Sequence, residues 1–299
     1  MFIIVFLKKC VIINGRLGDD MMTYIKDSIY NTSLPIVIIN KYDQFRKYSE
    51  IGHGEEGSVL KYNNKKALKV FDSFINREKL PQKFKKIEEL ARIKDKSFCF
   101  PKGLVGFLDL KKEGYFMDLV EPLEKCKDFS ELDGLKDMKK ILEYILMADR
   151  AIERIHKKGI ILGDIKDDNI LINKCGEIKF IDTDNYAYGD YDFDLIPCRS
   201  NWFYVTFGKK CSRVDNDIFV YTMMALHHLF RGKVKIYRSD DYFKRMIKYL
   251  DVSKEVKDGL SIILSDAKDK PYVGKVLKKI NTEERLISED NISRLNHYF

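Results

Sequence analysis

Residues 163 to 182 constrain the fold of this chain more than any other stretch. Gly163-Asp164-Ile165-Lys166-Asp167-Asp168-Asn169 runs directly into Ile170-Leu171-Ile172, and apolar character returns at Ile178-Lys179-Phe180-Ile181 before Asp182. Two short apolar arms around Lys174-Cys175-Gly176 predict a β-hairpin. A hairpin of that length brings Asp182 back to the neighbourhood of Asn169, 13 positions earlier. The fold must then gather Asp164, Lys166, Asn169 and Asp182 in one small region.

In that order, these side chains meet the needs of phosphoryl transfer, where a polyanionic triphosphate is held in line with an attacking oxygen while a metal neutralises charge. Asp164 can orient and deprotonate an acceptor hydroxyl, and Lys166 can neutralise the moving group. Asn169 and Asp182 can give oxygen ligands to Mg2+. The stretch resembles the catalytic loop and metal-binding segment of the protein kinase superfamily. That resemblance implies ATP as phosphoryl donor and Mg2+, with Mn2+ as a substitute. It also implies a bilobal α+β fold, a small antiparallel-sheet N-lobe beside a larger, mostly helical C-lobe.

Upstream residues fit the same plan. Ile51-Gly52-His53-Gly54-Glu55-Glu56-Gly57-Ser58-Val59 matches a glycine-rich loop between strands, where missing side chains let backbone N–H groups approach phosphate. Val59-Leu60-Lys61-Tyr62, a turn at Asn63-Asn64, and Ala67-Leu68-Lys69-Val70 continue as strands. By resemblance, Gly52, Gly54 and Gly57 cover the phosphates, Lys69 reaches them, and Val59, Ala67 and Leu171 sandwich the adenine. Glu55 and Glu56 are unusual beside phosphates, and their side chains are expected to point to water.

Residues 77–94 carry Phe84, Ile87, Leu90 and Ala91 on one helical stripe. Glu88, 19 positions after Lys69 and next to Ile87, is the expected acidic partner of that lysine, with Glu89 the second candidate. The alternative is that both glutamates face solvent and balance Lys83, Lys85 and Lys86. Strands at 103–110 and 115–120 follow. By resemblance the second runs into a hinge, with Met117 as gatekeeper and backbone groups of Asp118 and Val120 at the adenine edge.

In the expected C-lobe, 138–157 reads as a helix on the recurrence of Ile141, Leu142, Ile145, Ala148, Ile152 and Ile155. Residues 212–226 resemble the family's central buried helix, whose Asp217 would accept catalytic-loop N–H groups that would otherwise be buried unpaired. Ser265 to Tyr272 resembles a late D-x-x-x-R-P segment, with Lys270 in place of arginine. The resemblance runs from about Tyr48 to near the C-terminus. It divides the chain into an appendage at 1–47, an N-lobe at 48–120 and a C-lobe at 121–299.

The departures are informative. Leu162-Gly163-Asp164 replaces His-Arg-Asp, so the arginine that reads a phosphorylated activation loop is absent. Activity is therefore expected not to require phosphorylation between Asp184 and Asp217. Asp182-Thr183-Asp184 replaces Asp-Phe-Gly, and no Ala-Pro-Glu segment precedes Asp217. Gly163-Asp164, Ile181-Asp182, Gly189-Asp190 and Asp194-Leu195 also resemble small-molecule phosphotransferases related to aminoglycoside and choline kinases, although Lys166 stands where those usually have histidine. Three function classes follow: a Ser/Thr protein kinase acting on a protein substrate, a small-molecule phosphotransferase, and a pseudokinase that binds nucleotide or partners. The complete set Lys69, Asp164, Lys166, Asn169 and Asp182 favours an enzyme.

A chain of 299 residues can bury a large core and suits two lobes. Its formal charge of +8 lies in lysine-rich surface segments without a specific nucleic-acid motif. Six scattered cysteines contain no C-x-x-C pair, which argues against a zinc site or a disulfide framework and for a reducing, cytoplasmic setting. Phe2 to Leu7 is apolar but too short to span a bilayer and lacks the marks of a signal peptide, so a strand is expected there. With Val11 to Asn14 and Pro35 to Ile39 it would form the appendage.

Overall fold

The computed structural model describes residues 3–7, 10–17, 20–27, 32, 34–39, 48–54, 56–72, 78–107, 112–191, 213–233, 240–265, 267–280 and 286–297. The chain divides into two compact units, Met1–Val120 and Glu121–Phe299. In the first, strands β1 (Ile3–Leu7), β2 (Cys10–Leu17) and β3 (Asp20–Asp27) form an antiparallel sheet of their own. A six-stranded sheet follows from β4 (Ile36–Ile39), β5 (Ser49–Gly54), β6 (Gly57–Lys61), β7 (Lys66–Phe71), β8 (Gly103–Phe107) and β9 (Lys112–Asp118). Its order is β4-β8-β9-β7-β6-β5. The pairings are antiparallel as expected, except that β4 runs parallel to β8 with Ile36 opposite Leu104.

Strand alternation explains which residues the sheet buries. Leu60, Leu68, Val70, Val105 and Phe116 share a core with Val37 on one face. Register places Val59 opposite Lys69, Lys69 opposite Tyr115 and Ala67 opposite Met117, so these side chains share the other face. Helix α1 (Leu80–Leu90) packs on that second face, where Phe84 meets Phe71 edge-on at a centroid distance of 5.8 Å. Its buried stripe of Leu80, Phe84, Ile87 and Leu90 is worth about 1.5–3 kcal/mol per side chain on leaving water. The helix is shorter than the apolar pattern of 77–94 suggests. Arg92 N–H bonds back to Glu89 O at 3.1 Å, a tightened last turn that ends it.

Close strand approach requires glycine on both sides of β7. A Cβ at Gly57 would lie 2.0 Å from the Val70 carbonyl oxygen, and one at Gly114 2.0 Å from that of Lys69.

The second unit is mostly helical. Helix α2 (Met138–His156) starts at Asp137, whose carboxylate accepts the Lys139 N–H, and buries the apolar series from Ile141 to Ile155. Two short antiparallel pairs follow, β10 (Ile160–Ile161) with β13 (Ala187–Tyr188) and β11 (Ile170–Ile172) with β12 (Ile178–Phe180). Helix α3 (Arg213–Leu229) is buried almost all round from Asp217 to Leu226, and Tyr221 donates to Ile145 O at 2.6 Å. Helices α4 (Asp240–Tyr249), α5 (Lys254–Ile263), α6 (Val273–Leu277) and α7 (Glu289–His297) complete it. Among the described residues, no helix is long and apolar enough to cross a membrane. The sequence features at Glu55, Asp194-Leu195 and most of the segment between Asp184 and Asp217 lie outside the described residues.

Candidate active site

Asp217 organises the second unit's polar cluster. Fully buried on α3, it accepts the Leu162 N–H through Oδ2 at 2.7 Å and the Gly163 N–H through Oδ1 at 3.0 Å. Its Oδ2 also lies 2.9 Å from His156 Nε2, while His156 Nδ1 is 3.0 Å from the Tyr272 hydroxyl. This is the backbone tie expected of Asp217. Gly163 has a φ of 70°, a left-handed conformation in which arginine would be strained. The missing arginine therefore coincides with a backbone geometry that favours glycine.

From this anchored backbone Asp164 projects into the cluster. Its Oδ2 lies 3.2 Å from Asn169 Nδ2 and 3.3 Å from Lys166 Nζ. Its Oδ1 is buried and receives no hydrogen bond among the described residues. Such an acceptor suits a substrate hydroxyl. Burial raises the Asp164 pKa above the usual carboxylate value, opposed by Lys166 and assisted by Asp182 and Asp168. Burial works against the charge on Lys166, but Asp164 and Asp168 outweigh it and raise its pKa.

The predicted hairpin performs its expected task. Ile170 pairs with Phe180 and Ile172 with Ile178, and Gly176 turns the chain at φ 75°. Ile181 N–H then donates to Asn169 O at 3.0 Å, so Asp182 emerges beside Asn169. Asp182 is itself left-handed, at φ 58° and ψ 38°, and leads into a tight turn over Thr183–Asn185. Thr183 and Asp184 are fully buried, so polar groups fill the position where the family usually packs an aromatic ring.

Asp164, Lys166, Asn169 and Asp182 thus share one site within the second unit. Among the described residues no three His, Cys, Asp or Glu side chains converge as a metal cage. Mg2+ in phosphoryl-transfer sites commonly takes only one or two protein oxygens and completes its shell with phosphate and water. The carboxylate of Asp182 and the amide oxygen of Asn169 fit that need.

Sequence reasoning missed His228. Buried on α3, its Nε2 is 2.9 Å from Asp167 Oδ1 and its Nδ1 is 2.9 Å from Asp133 Oδ1. Burial lowers its basicity, but Asp167 and Asp133 together raise its pKa. The bridge braces the residue next to Lys166. No local pattern signals it, because its partners lie 61 and 95 positions away.

In the first unit, Lys69 is 4% exposed on the sheet face that also carries Val59, Ala67 and Met117. Gly52 and Gly54 are exposed, and a Cβ at Gly54 would meet nothing within 4 Å, whereas Gly57 serves the sheet. Asp118 is exposed at the end of β9 and pairs with Lys102 at 2.5 Å, next to half-buried Val120. Leu171 is half-buried on β11 in the second unit, and Glu88 half-buried on α1.

The expectation for Glu56 is overturned. Its side chain is 8% exposed and turned inward, 2.7 Å from Lys83 Nζ and 3.7 Å from Lys69 Nζ. Lys83 and Lys86 are likewise buried rather than solvated. A carboxylate placed between ammonium groups leaves water at lower cost than alone.

A family model described as the protein kinase domain matches residues 45–185. Over these residues the chain resembles the protein kinase superfamily. The matched kinase segment contains both polar clusters up to Asn185. Among curated relatives, it is similar to serine/threonine-protein kinase STE20 of Yarrowia lipolytica, at 29% identity over 46% of this chain and 12% of that protein. It is similar to serine/threonine-protein kinase CLA4 of Candida albicans at 28% identity over 48% of the chain and 16% of the relative. The figures for serine/threonine-protein kinase pakA of Talaromyces marneffei are 30%, 47% and 22%. The aligned kinase segment thus spans less than a quarter of the length of each of these relatives.

Proposed function

We propose that the chain transfers the γ-phosphoryl group of ATP to a serine or threonine hydroxyl of a protein substrate. The observation that carries this reading is that Asn169 and Lys166 meet Asp164 at Oδ2, Ile181 ties Asp182 to the Asn169 backbone, and Asp164 Oδ1 is a buried acceptor with no hydrogen bond among the described residues. Similarity to kinases named for serine and threonine favours a protein acceptor over a small alcohol.

In this reading Asp164 Oδ1 receives the hydrogen bond of the acceptor hydroxyl, turns an oxygen lone pair toward the γ-phosphorus and takes the proton as the new O–P bond forms, while the bond from the γ-phosphorus to the β,γ-bridging oxygen breaks and ADP leaves. Its raised pKa makes it a stronger base than an exposed carboxylate. Lys166 holds a positive charge beside it for the phosphoryl oxygens. Asn169 and Asp182 would hold Mg2+, which supplies charge neutralisation at the phosphates when bound. Within the first unit, Lys69 meets the α- and β-phosphates under the backbone of Gly52 and Gly54, while Val59 and Ala67 flank the adenine and Asp118 and Val120 offer it backbone groups. We place the reaction in the cytoplasm, consistent with the thiols of Cys126 and Cys175, which form no disulfide among the described residues.

The test is incubation with γ-labelled ATP and Mg2+, with generic protein substrates and with small alcohols. Label on serine or threonine that falls at least 100-fold in Asp182→Asn supports the reading. Equal labelling by Asp182→Asn, or label confined to small alcohols, contradicts it.

A further inference from the structure

Glu56 sits where the glycine-rich turn enters β6, and its carbonyl oxygen accepts the Asp72 N–H at 2.9 Å. Lys83, 3% exposed on the buried face of α1, donates to both of its carboxylate oxygens, at 2.8 Å to Oε1 and 2.7 Å to Oε2. The same Oε2 stands 3.7 Å from Lys69 Nζ. The first contact is a short charge-assisted clamp. The second is an ion pair longer than a hydrogen bond.

That difference in length decides what the carboxylate can do for Lys69. A group competing with phosphate for the ammonium would approach to about 2.7–2.9 Å and occupy one of its donors. At 3.7 Å in a buried setting, Coulomb attraction still orients the ammonium, and this contact takes no hydrogen bond from it. Lys83 meanwhile fixes the carboxylate from the helix side, so the turn, α1 and the β7 lysine are mechanically linked.

We propose that Glu56, clamped by Lys83, is the positioning residue for Lys69. The glycine-rich turn thereby supplies a carboxylate that aims the phosphate-binding lysine, and α1 supplies the cation that holds that carboxylate in place. The inference rests on the reading of Lys69 as a nucleotide phosphate ligand.

The test measures the MgATP dissociation constant by calorimetry, KM for ATP and apo thermal stability in the full chain. Glu56→Gln and Lys83→Met are each expected to raise both the dissociation constant and KM about tenfold, the size of one lost interaction with a charged group. Lys83→Arg, which keeps a two-pronged clamp, should stay within about threefold of the parent. A purely structural pair would alter melting without this split in nucleotide affinity between methionine and arginine. Lys69→Ala serves as the control. If it loses MgATP while Glu56→Gln and Lys83→Met bind as tightly as the parent or tighter, the positioning role is overturned and the carboxylate is a bystander or competitor. If Lys69→Ala itself binds like the parent, the nucleotide reading fails, and the inference with it.

Discussion

Replacing Asp217 by asparagine removes one of the two oxygens on which the catalytic loop hangs. If the new amide nitrogen takes the place of Oδ2, it faces the Leu162 N–H now held at 2.7 Å; if it takes the place of Oδ1, it faces the Gly163 N–H now at 3.0 Å. Either way a buried donor confronts a donor, at about 1–3 kcal/mol, and the surviving bond loses its charge assistance, worth about 1 kcal/mol more. The expected cost is about 2–4 kcal/mol. Hydrogen exchange of the Leu162 and Gly163 amides reads this locally, and protection should fall by about 30- to 1,000-fold, as that cost implies. Transfer rate should fall as well, because Asp164 follows directly in the chain. Protection at both amides within twofold of the parent would refute the reasoning.

The glycine-rich turn should respond unequally to alanine. Gly57→Ala forces β6 away from β7 and should destabilise by about 1–3 kcal/mol, whereas Gly54→Ala, with nothing within 4 Å, should stay within about 0.5 kcal/mol in urea unfolding; equal losses would contradict the geometry. Asp149, buried on α2 and accepting backbone bonds from Gly274 and Val273, has its pKa pushed up to about 6 by burial. Its folded value lies above the unfolded one, so its contribution is greatest below about pH 4 and declines by about 3 kcal/mol as pH rises through about 6. Asp149→Asn should remove that part of the slope, and an unchanged pH dependence of unfolding would disprove it.

What the sequence made legible was local. The hairpin from Ile170 to Phe180 could be read because its two arms and turn are contiguous, and it delivers Asp182 to Asn169 without help from distant parts. Asp217 was legible through the resemblance of residues 212–226 to a family's central buried helix, whose carboxylate can accept backbone N–H groups that would otherwise be buried unpaired. Glu56 was misread because its direction depends on Lys83, 27 positions later, and a charged residue in a turn carries no local mark of facing inward. His228 was invisible for the same reason. Gly163 looked like the loss of an arginine; its φ of 70° gives a conformational basis for glycine there.

The most direct measurement compares MgATP binding with single-turnover transfer to a protein hydroxyl in the parent and in Asp164→Ala. Asp164 is assigned to the acceptor hydroxyl rather than to the nucleotide. Transfer should therefore fall by at least 100-fold while the MgATP dissociation constant stays within about threefold. Transfer by Asp164→Ala at the parent's rate would contradict the account.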